Sequence, residues 1–201
     1  VEQSAKGHGL MIHRGLRLRE VDLGLGIEAY SLDSTPADCV RAAFYGLKWD
    51  FDVVFSGINN GINLGEDIFY SGTCAAAVEA GFMKKPALAF STFAGNLKEV
   101  VRIFDQIMDI VQKNKLLEKG VFNINVPYDT KGFKATFQAQ SQYDAFFVTR
   151  NGLLYQEGTH NFERERSNTN SDIWAIINNY VSITPLSLNR TNYDVLQKLD
   201  I

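Results

Sequence analysis

The sequence predicts an α/β fold with a mostly parallel sheet flanked by helices, and three observations carry that expectation. Two short apolar runs, Phe51–Ser56 (FDVVFS) and Pro86–Ser91 (PALAFS), bracket a small-residue helical segment, Ser71–Ala80. Short uninterrupted apolar runs suit parallel strands buried on both faces, and strand–helix–strand is the βαβ unit. A longer segment, Leu97–Leu117, places Val100, Val101, Phe104, Ile107, Met108 and Val111 at helical spacing and leads into a third run, Val121–Val126 (VFNINV). In open sheets of this kind, ligands bind beyond the carboxyl ends of the strands.

Length and composition set the outer bounds. The 201 residues suffice for one α/β domain and an appendage, and the 45% hydrophobic content is that of a globular protein. A formal net charge of −3 with no basic stripe argues against nucleic acid as a stable partner. No apolar run reaches membrane-spanning length and Val1 opens no signal-peptide pattern, so the expectation is a cytoplasmic protein with no membrane partner. Cys39 and Cys74 lack a CxxC partner and are expected to be buried, reduced thiols.

Along the chain, Val1–Gly9 reads as a polar loop, Leu10–Val21 as one or two short strands, and Ile27–Leu32 as another. Thr35 is placed to cap a helix, with Pro36 at its first position and Asp38 completing a capping-box-like arrangement. The strand Phe51–Ser56 is expected to end at Gly57. A loop rich in Gly and Asn follows as far as Tyr70, and Gly81 is expected to close the next helix as a left-handed residue. Pro127 stops the third strand. Beyond it, Phe133–Gln140 and Ala145–Gln156 are strand-like, and Asn151-Gly152 is a type I′ hairpin signal. This hairpin carries Phe146, Phe147, Leu153 and Leu154, and so apolar an arm is expected to meet another subunit. Ser171-Asp172 caps a helical turn, Tyr180–Leu186 is a strand, and a short helix closes the chain from Asn192. The expected division is a catalytic core over residues 1–130, a hairpin arm over 131–170, and a return strand with an oligomerisation helix over 171–201.

The stretch from Phe55 to Gly81 carries the chemistry. It leaves a buried strand, passes Asn59, Asn60 and Asn63, and enters a helix at Ser71-Gly72-Thr73. Such a helix start presents unpaired amides and a positive dipole end to an anion. A plain strand–helix connection with glycines for turns is the competing account; the convergence of strand, loop and Ser-Gly-Thr favours a phosphate site. Neither GxxxxGK[ST] nor a dinucleotide GxGxxG in its usual place is present. Glu66 and Asp67, adjacent in sequence, are read as solvated or helix-dipole charges rather than a metal pair.

Taken in order, Gln3-Ser4-Ala5-x-Gly7-His8, Ser34-Thr35-Pro36-Ala37-Asp38-Cys39-Val40, Ser56-Gly57-Ile58-Asn59-x-Gly61-x-Asn63-Leu64-Gly65, Tyr70-Ser71-Gly72-Thr73 and Asn123-Ile124-Asn125-Val126-Pro127 resemble the motifs of the SurE family. That family comprises metal-dependent nucleoside monophosphate phosphatases. The resemblance covers essentially the whole chain. It implies a Rossmann-like domain with a protruding β-hairpin and a C-terminal oligomerisation segment, assembled as a homodimer or homotetramer. It also implies hydrolysis of nucleoside 5′- and 3′-monophosphates with Mg²⁺ or Mn²⁺. By the same resemblance Ser4 and Asn59 are metal ligands, and Asn63, Ser71, Gly72 and Thr73 bind the phosphate, with Asn63, Ser71 and Thr73 catalytic.

Two departures stand out. The family's aspartate pair belongs to an NDDG run in a unit of roughly 30 residues that would precede Val1. Without it, Ser4 and Asn59 offer only neutral oxygens and metal binding is expected to be weak. In the hairpin region, Thr136–Tyr143 replaces the arginines and glycine of the family's TRQGxRxY. The alternative reading is a non-catalytic, oligomeric nucleotide- or phosphate-binding protein.

Overall fold

The computed structural model describes residues 5, 7–140, 143–160, 162 and 167–200. Its centre is a five-stranded sheet in the order β3-β4-β5-β9-β6. Strands β3 (Val54–Asn60), β4 (Ala87–Thr92) and β5 (Val121–Val126) run parallel. Strand β9 (Tyr180–Leu186) pairs antiparallel with β5, and β6 (Gly132–Ala135) lies parallel to β9. The α/β class with a mostly parallel sheet is therefore as expected.

Alternation along the central strands sorts the two layers. Ala87, Ala89 and Val121 face Ala76, Ala77 and Ala80 of α3 (Gly72–Phe82), a small-on-small contact that lets the helix lie close to the sheet. Leu88, Phe90, Phe122 and Ile124 face the other way. They pack on Val100, Ile103, Ile107 and Val111 from α4 (Leu97–Arg102) and α5 (Phe104–Lys113). Burying each of these large side chains contributes about 1.5–3 kcal/mol. Every residue of β4 and β5 is buried. Strand β3 forms one end of the sheet, with Phe55 and Ile58 exposed.

Several boundaries differ from expectation. The single helix expected over Leu97–Leu117 breaks at Ile103, then gives way to a 3-10 turn, Leu116–Glu118. The apolar stripe keeps facing the sheet across the break, because Ile103 itself is buried. Of Leu10–Val21, only β1 (Leu18–Glu20) is strand, paired antiparallel with β2 (Tyr30–Leu32). Upstream, the Met11 amide donates to Asp38 instead of to a partner strand. Gly81 does not close α3, which runs on to Phe82; the left-handed residue is Lys84 at φ 61°. Gly81 is needed for packing, since a Cβ there would lie 2.7 Å from Val121 Cγ2 and 2.8 Å from Leu188 Cδ2. Cys74 is buried, and burial pushes its thiol up to about 12, but Cys39 is exposed on the outer side of α1 (Pro36–Arg41).

Two caps are as the sequence predicts: Thr35 accepts from the Asp38 amide, and Ser171 from the Trp174 amide at the start of α6 (Asp172–Ile177). The terminal helix is shorter than expected: α7 spans Tyr193–Leu196, and Asn192 caps it by accepting from the Val195 amide. Burial works against the charge of Asp38, but hydrogen bonds from Ser34, the Met11 amide and Thr35 outweigh it and hold the carboxyl below its usual value. The hairpin of β7 (Tyr143–Arg150) and β8 (Leu153–His160) turns on Asn151 and Gly152, at φ 51° and 75°, as a type I′ turn requires. No helix among the described residues is long and apolar enough to cross a membrane.

Glu99, ion-paired within α4, ties that helix to the connection between β5 and β6. Glu99 accepts from Arg102 at 2.7 Å through both oxygens, and from the Thr130 amide at 3.2 Å. The Arg102 guanidinium holds the Glu99 carboxyl well down, from an ordinary 4.5 to about 2. A depressed carboxylate stabilises the fold above its unfolded value and loses that contribution as pH falls through the folded one. Wild type minus Glu99→Gln should therefore lose about 1 kcal/mol of stability between pH 4.5 and 2, the exposure of Arg102 keeping it small. Denaturant titrations at several pH values test this; a pH-independent difference would refute it.

Candidate active site

The loop from Gly61 to Glu66 leaves the carboxyl end of β3 and is fastened at both backbone and side-chain level. Strand β3 reaches further than expected, so Asn59 and Asn60 lie on the strand, opposite Ser91 and Thr92 of β4. The Asn59 amide nitrogen donates to the Gly61 carbonyl at 2.8 Å, which leaves Oδ1 as the atom Asn59 can offer to a cation.

Asn63 is buried at the centre of a polar network. Its backbone N–H donates to Asn125 Oδ1 at 2.8 Å, and its carbonyl accepts from Asn123 Nδ2 at 2.8 Å and Asn125 Nδ2 at 3.0 Å. Its side-chain Nδ2 donates to Ser91 Oγ at 2.7 Å. One hydrogen of that amide remains to meet a ligand. Leu64, beside it, is buried against Ala139, Ile173 and Ile176.

Asp172 fixes the next residue. It is fully buried, and its Oδ2 accepts from the Gly65 amide at 2.9 Å. Its Oδ1 accepts from the Ala139 amide at 3.0 Å and from its neighbour Ile173 at 2.8 Å. Burial raises its pKa, and the amide donors offset part of that shift. Gln138 completes the latch by donating to the Gly65 carbonyl at 3.0 Å.

Past the loop, α2 (Asp67–Tyr70) delivers the chain to the mouth of α3, with Glu66 and Asp67 at its start, where the helix dipole favours negative charge. Ser71 is extended, at φ −79° and ψ 121°, and its Oγ accepts from the Cys74 amide at 3.1 Å. Being an acceptor there, the Ser71 hydroxyl keeps its proton to donate. The amides of Gly72 and Thr73, in the first turn, have no intrahelical partner by the geometry of a helix start. The loop that carries the amino-terminal residues reaches this mouth, since the Gly7 amide donates to the Tyr70 carbonyl at 2.8 Å.

Sequence reasoning placed Asn59, Asn63, Ser71, Gly72 and Thr73 together, and the fold brings their segments to one end of the sheet. Ser4 lies outside the described residues. Asp172 was read only as part of a helix cap, and Asn123, Asn125 and Ser91 were not given a role at the site. Nor was Glu79, buried on α3, which takes His8 Nε2 at 2.8 Å and Arg41 Nη1 at 2.7 Å and so clasps the loop and α1 to that helix.

A divalent cation fits these residues poorly on their own. Among the described residues, no three His, Cys, Asp or Glu side chains gather into a possible metal cluster. Asn59 Oδ1 is a single neutral donor, whereas hard cations take several oxygens, carboxylates among them. No chemical step is therefore routed through a metal here.

Residues 1–145 match the family model described as survival protein SurE. The chain is 34% identical over 214 residues to the 5′-nucleotidase SurE of Clostridium botulinum (strain Loch Maree / Type A3), covering 99% of this chain and 84% of that protein. It is 35% identical over 218 residues to the 5′-nucleotidase SurE of Acinetobacter baylyi, covering 98% and 84%. The crystal structure of the SurE protein from Aquifex aeolicus superposes with a TM-score of 0.78 at 33% identity, over 98% of this chain and 83% of that one. With sequence and fold in agreement over nearly its whole length, the chain belongs to the SurE family.

Proposed function

We propose that the protein is a phosphoric monoester hydrolase acting on nucleoside 5′-monophosphates, and on 3′-monophosphates, in the presence of Mg²⁺ or Mn²⁺. The observation that carries this reading is the α3 mouth, where two unpaired amides and two hydroxyls adjoin a loop latched by Asn125 and Asp172. Relatives that share this arrangement of sequence are named 5′-nucleotidases. The amides of Gly72 and Thr73 and the hydroxyls of Ser71 and Thr73 hold the non-bridging oxygens, and the free N–H of Asn63 orients the phosphoryl group. Donors fixed in advance stabilise the charge that develops there without reorganising. Asn59 Oδ1 is the described atom that would meet a cation, and Ser4 is the second ligand that the family resemblance implies. A cytoplasmic location suits the two unpaired thiols.

The hairpin presents Phe147 and Leu154 on one face and Phe146 and Leu153 on the other, all more than half exposed. We read it as the contact of a homodimer or homotetramer.

Phosphate release from AMP and GMP with Mn²⁺ tests the proposal. Thr73→Ala keeps the helix cap and the amide but loses one hydroxyl, so kcat/KM should fall about tenfold or more. Ser71→Ala is a poorer probe, since it also removes a cap and costs about 1 kcal/mol of stability. Release that is absent with every nucleoside monophosphate, or indifferent to chelator, would overturn the metal-dependent reading. Binding of AMP without turnover would favour the second reading, a non-catalytic nucleotide-binding protein. Sedimentation of the same preparation as a monomer would remove the hairpin contact.

A further inference from the structure

We propose that Tyr128, backed by Phe93, is the platform on which the nucleobase of the substrate stacks. This rests on the nucleotide reading above and adds to it the subsite that separates a nucleotide from a bare sugar phosphate. The two rings lie nearly parallel, at 6°, with centroids 4.7 Å apart. Phe93 is half-buried and packs into the cluster that contains Ile62 and Leu64, the two neighbours of Asn63. Tyr128 stacks on Phe93 and is 54% exposed, so much of its ring surface remains accessible beyond that contact.

Position supports the same conclusion. Phe93 follows β4 and Tyr128 follows β5, both at the carboxyl ends of the parallel strands, where such sheets bind ligands. Each sits a few residues beyond a partner of Asn63, Ser91 on β4 and Asn125 on β5.

The two supporting loops are fastened to each other. Asn96 Nδ2 donates to Thr92 Oγ1 and to the Pro127 carbonyl, both at 2.9 Å. The Gly95 amide donates to Asn60 Oδ1 at 2.9 Å, tying the same unit to the end of β3. The aromatic surface is therefore formed in advance, and a base that lands on it does not have to order it.

The other stacked pairs among the described residues are already engaged. His8, stacked on Phe82, is held by Glu79, and the Trp174–Tyr180 pair has Lys134 Nζ over both rings.

Stacking is tolerant of sequence, because every base has a π-face, so the platform favours nucleotides as a class over ribose phosphates. Calorimetry with AMP and with ribose 5-phosphate reads this directly. Wild type should bind AMP about tenfold or more tighter than ribose 5-phosphate. Tyr128→Ala should erase that difference while leaving ribose 5-phosphate affinity as it was, and Tyr128→Phe, which keeps the ring, should retain it. Equal wild-type affinity for the two ligands would leave the phosphate site standing and overturn the platform. So would a Tyr128→Ala variant that keeps the preference or weakens both ligands alike. If wild type binds neither, the nucleotide reading falls and the platform with it.

Discussion

Asp172→Ala is expected to lower unfolding free energy by about 3–5 kcal/mol, a large part of what a domain of this size possesses. The carboxylate is the acceptor for three backbone amides, those of Gly65, Ala139 and Ile173, in a place with no solvent exposure. Alanine leaves those donors buried without partners, and each such group costs about 1–3 kcal/mol. The three segments involved are far apart in sequence, so nothing local can substitute. Asp172→Asn separates this account from simple loss of volume. The amide oxygen can still serve Ala139 and Ile173, but an NH₂ then faces the Gly65 amide. Its stability should therefore fall between wild type and alanine, at a cost of about 1–2 kcal/mol. Activity should fall in both variants, since Gly65 is two residues from Asn63. Urea denaturation followed by circular dichroism measures the stabilities. An alanine variant within 1 kcal/mol of wild type would mean that the latch is not what holds the loop.

The sequence made the central layer legible for a simple reason. A parallel strand buried on both faces reads as an apolar run, as PALAFS does over β4, whereas FDVVFS carries Asp52 and feeds the edge strand β3, whose Phe55 and Ile58 are exposed. The hairpin was legible because a type I′ turn needs positive φ at two successive residues, which Asn151-Gly152 supplies. The polar framework of the site was harder to read. In VFNINV, the alternation resembles a strand with one wet face, yet all six residues are buried. Asn123 and Asn125 point to the Asn63 loop instead of to water, and a strand followed by a helix-mouth loop was the available hint. Tyr180–Leu186 hides a similar arrangement, since Ser182 and Thr184 are buried and both reach Thr136. Asp172 was read only as part of a cap, because its other partners lie more than 30 residues away. Residue type singled out the candidate ligand-facing groups; pairing over long distances in the chain, which only the fold reveals, singled out the groups that hold their loop.

Gly57→Ala should be the most damaging single methyl in the protein's signature stretch, costing about 3 kcal/mol or more. Glycines in a loop of this kind can let the backbone approach a ligand. At Gly57 the close approach is to the protein itself. Its φ is +121°, and a Cβ would lie 2.4 Å from the Phe90 carbonyl oxygen and 3.1 Å from the Asn59 amide. Both are backbone atoms, so no side-chain rotation relieves the contact. Either β3 lifts away from β4 or the residue abandons its conformation, which a side chain rarely adopts. The register changes between Ser56 and Asn59, and that shift sets Asn59 opposite Ser91. Displacing it would move Asn59 and loosen the approach to Asn63, so phosphate release should be lost along with stability. Gly61→Ala is the control four residues on, where the added Cβ meets nothing nearer than Asn59 Nδ2 at 3.5 Å. That variant should stay within about 1 kcal/mol of wild type. If both variants were equally tolerated, the shift in β3 would not depend on the missing side chain. If only Gly57 is intolerant, the first glycine of the motif shapes the strand that carries the site, and the second is a residue of the loop.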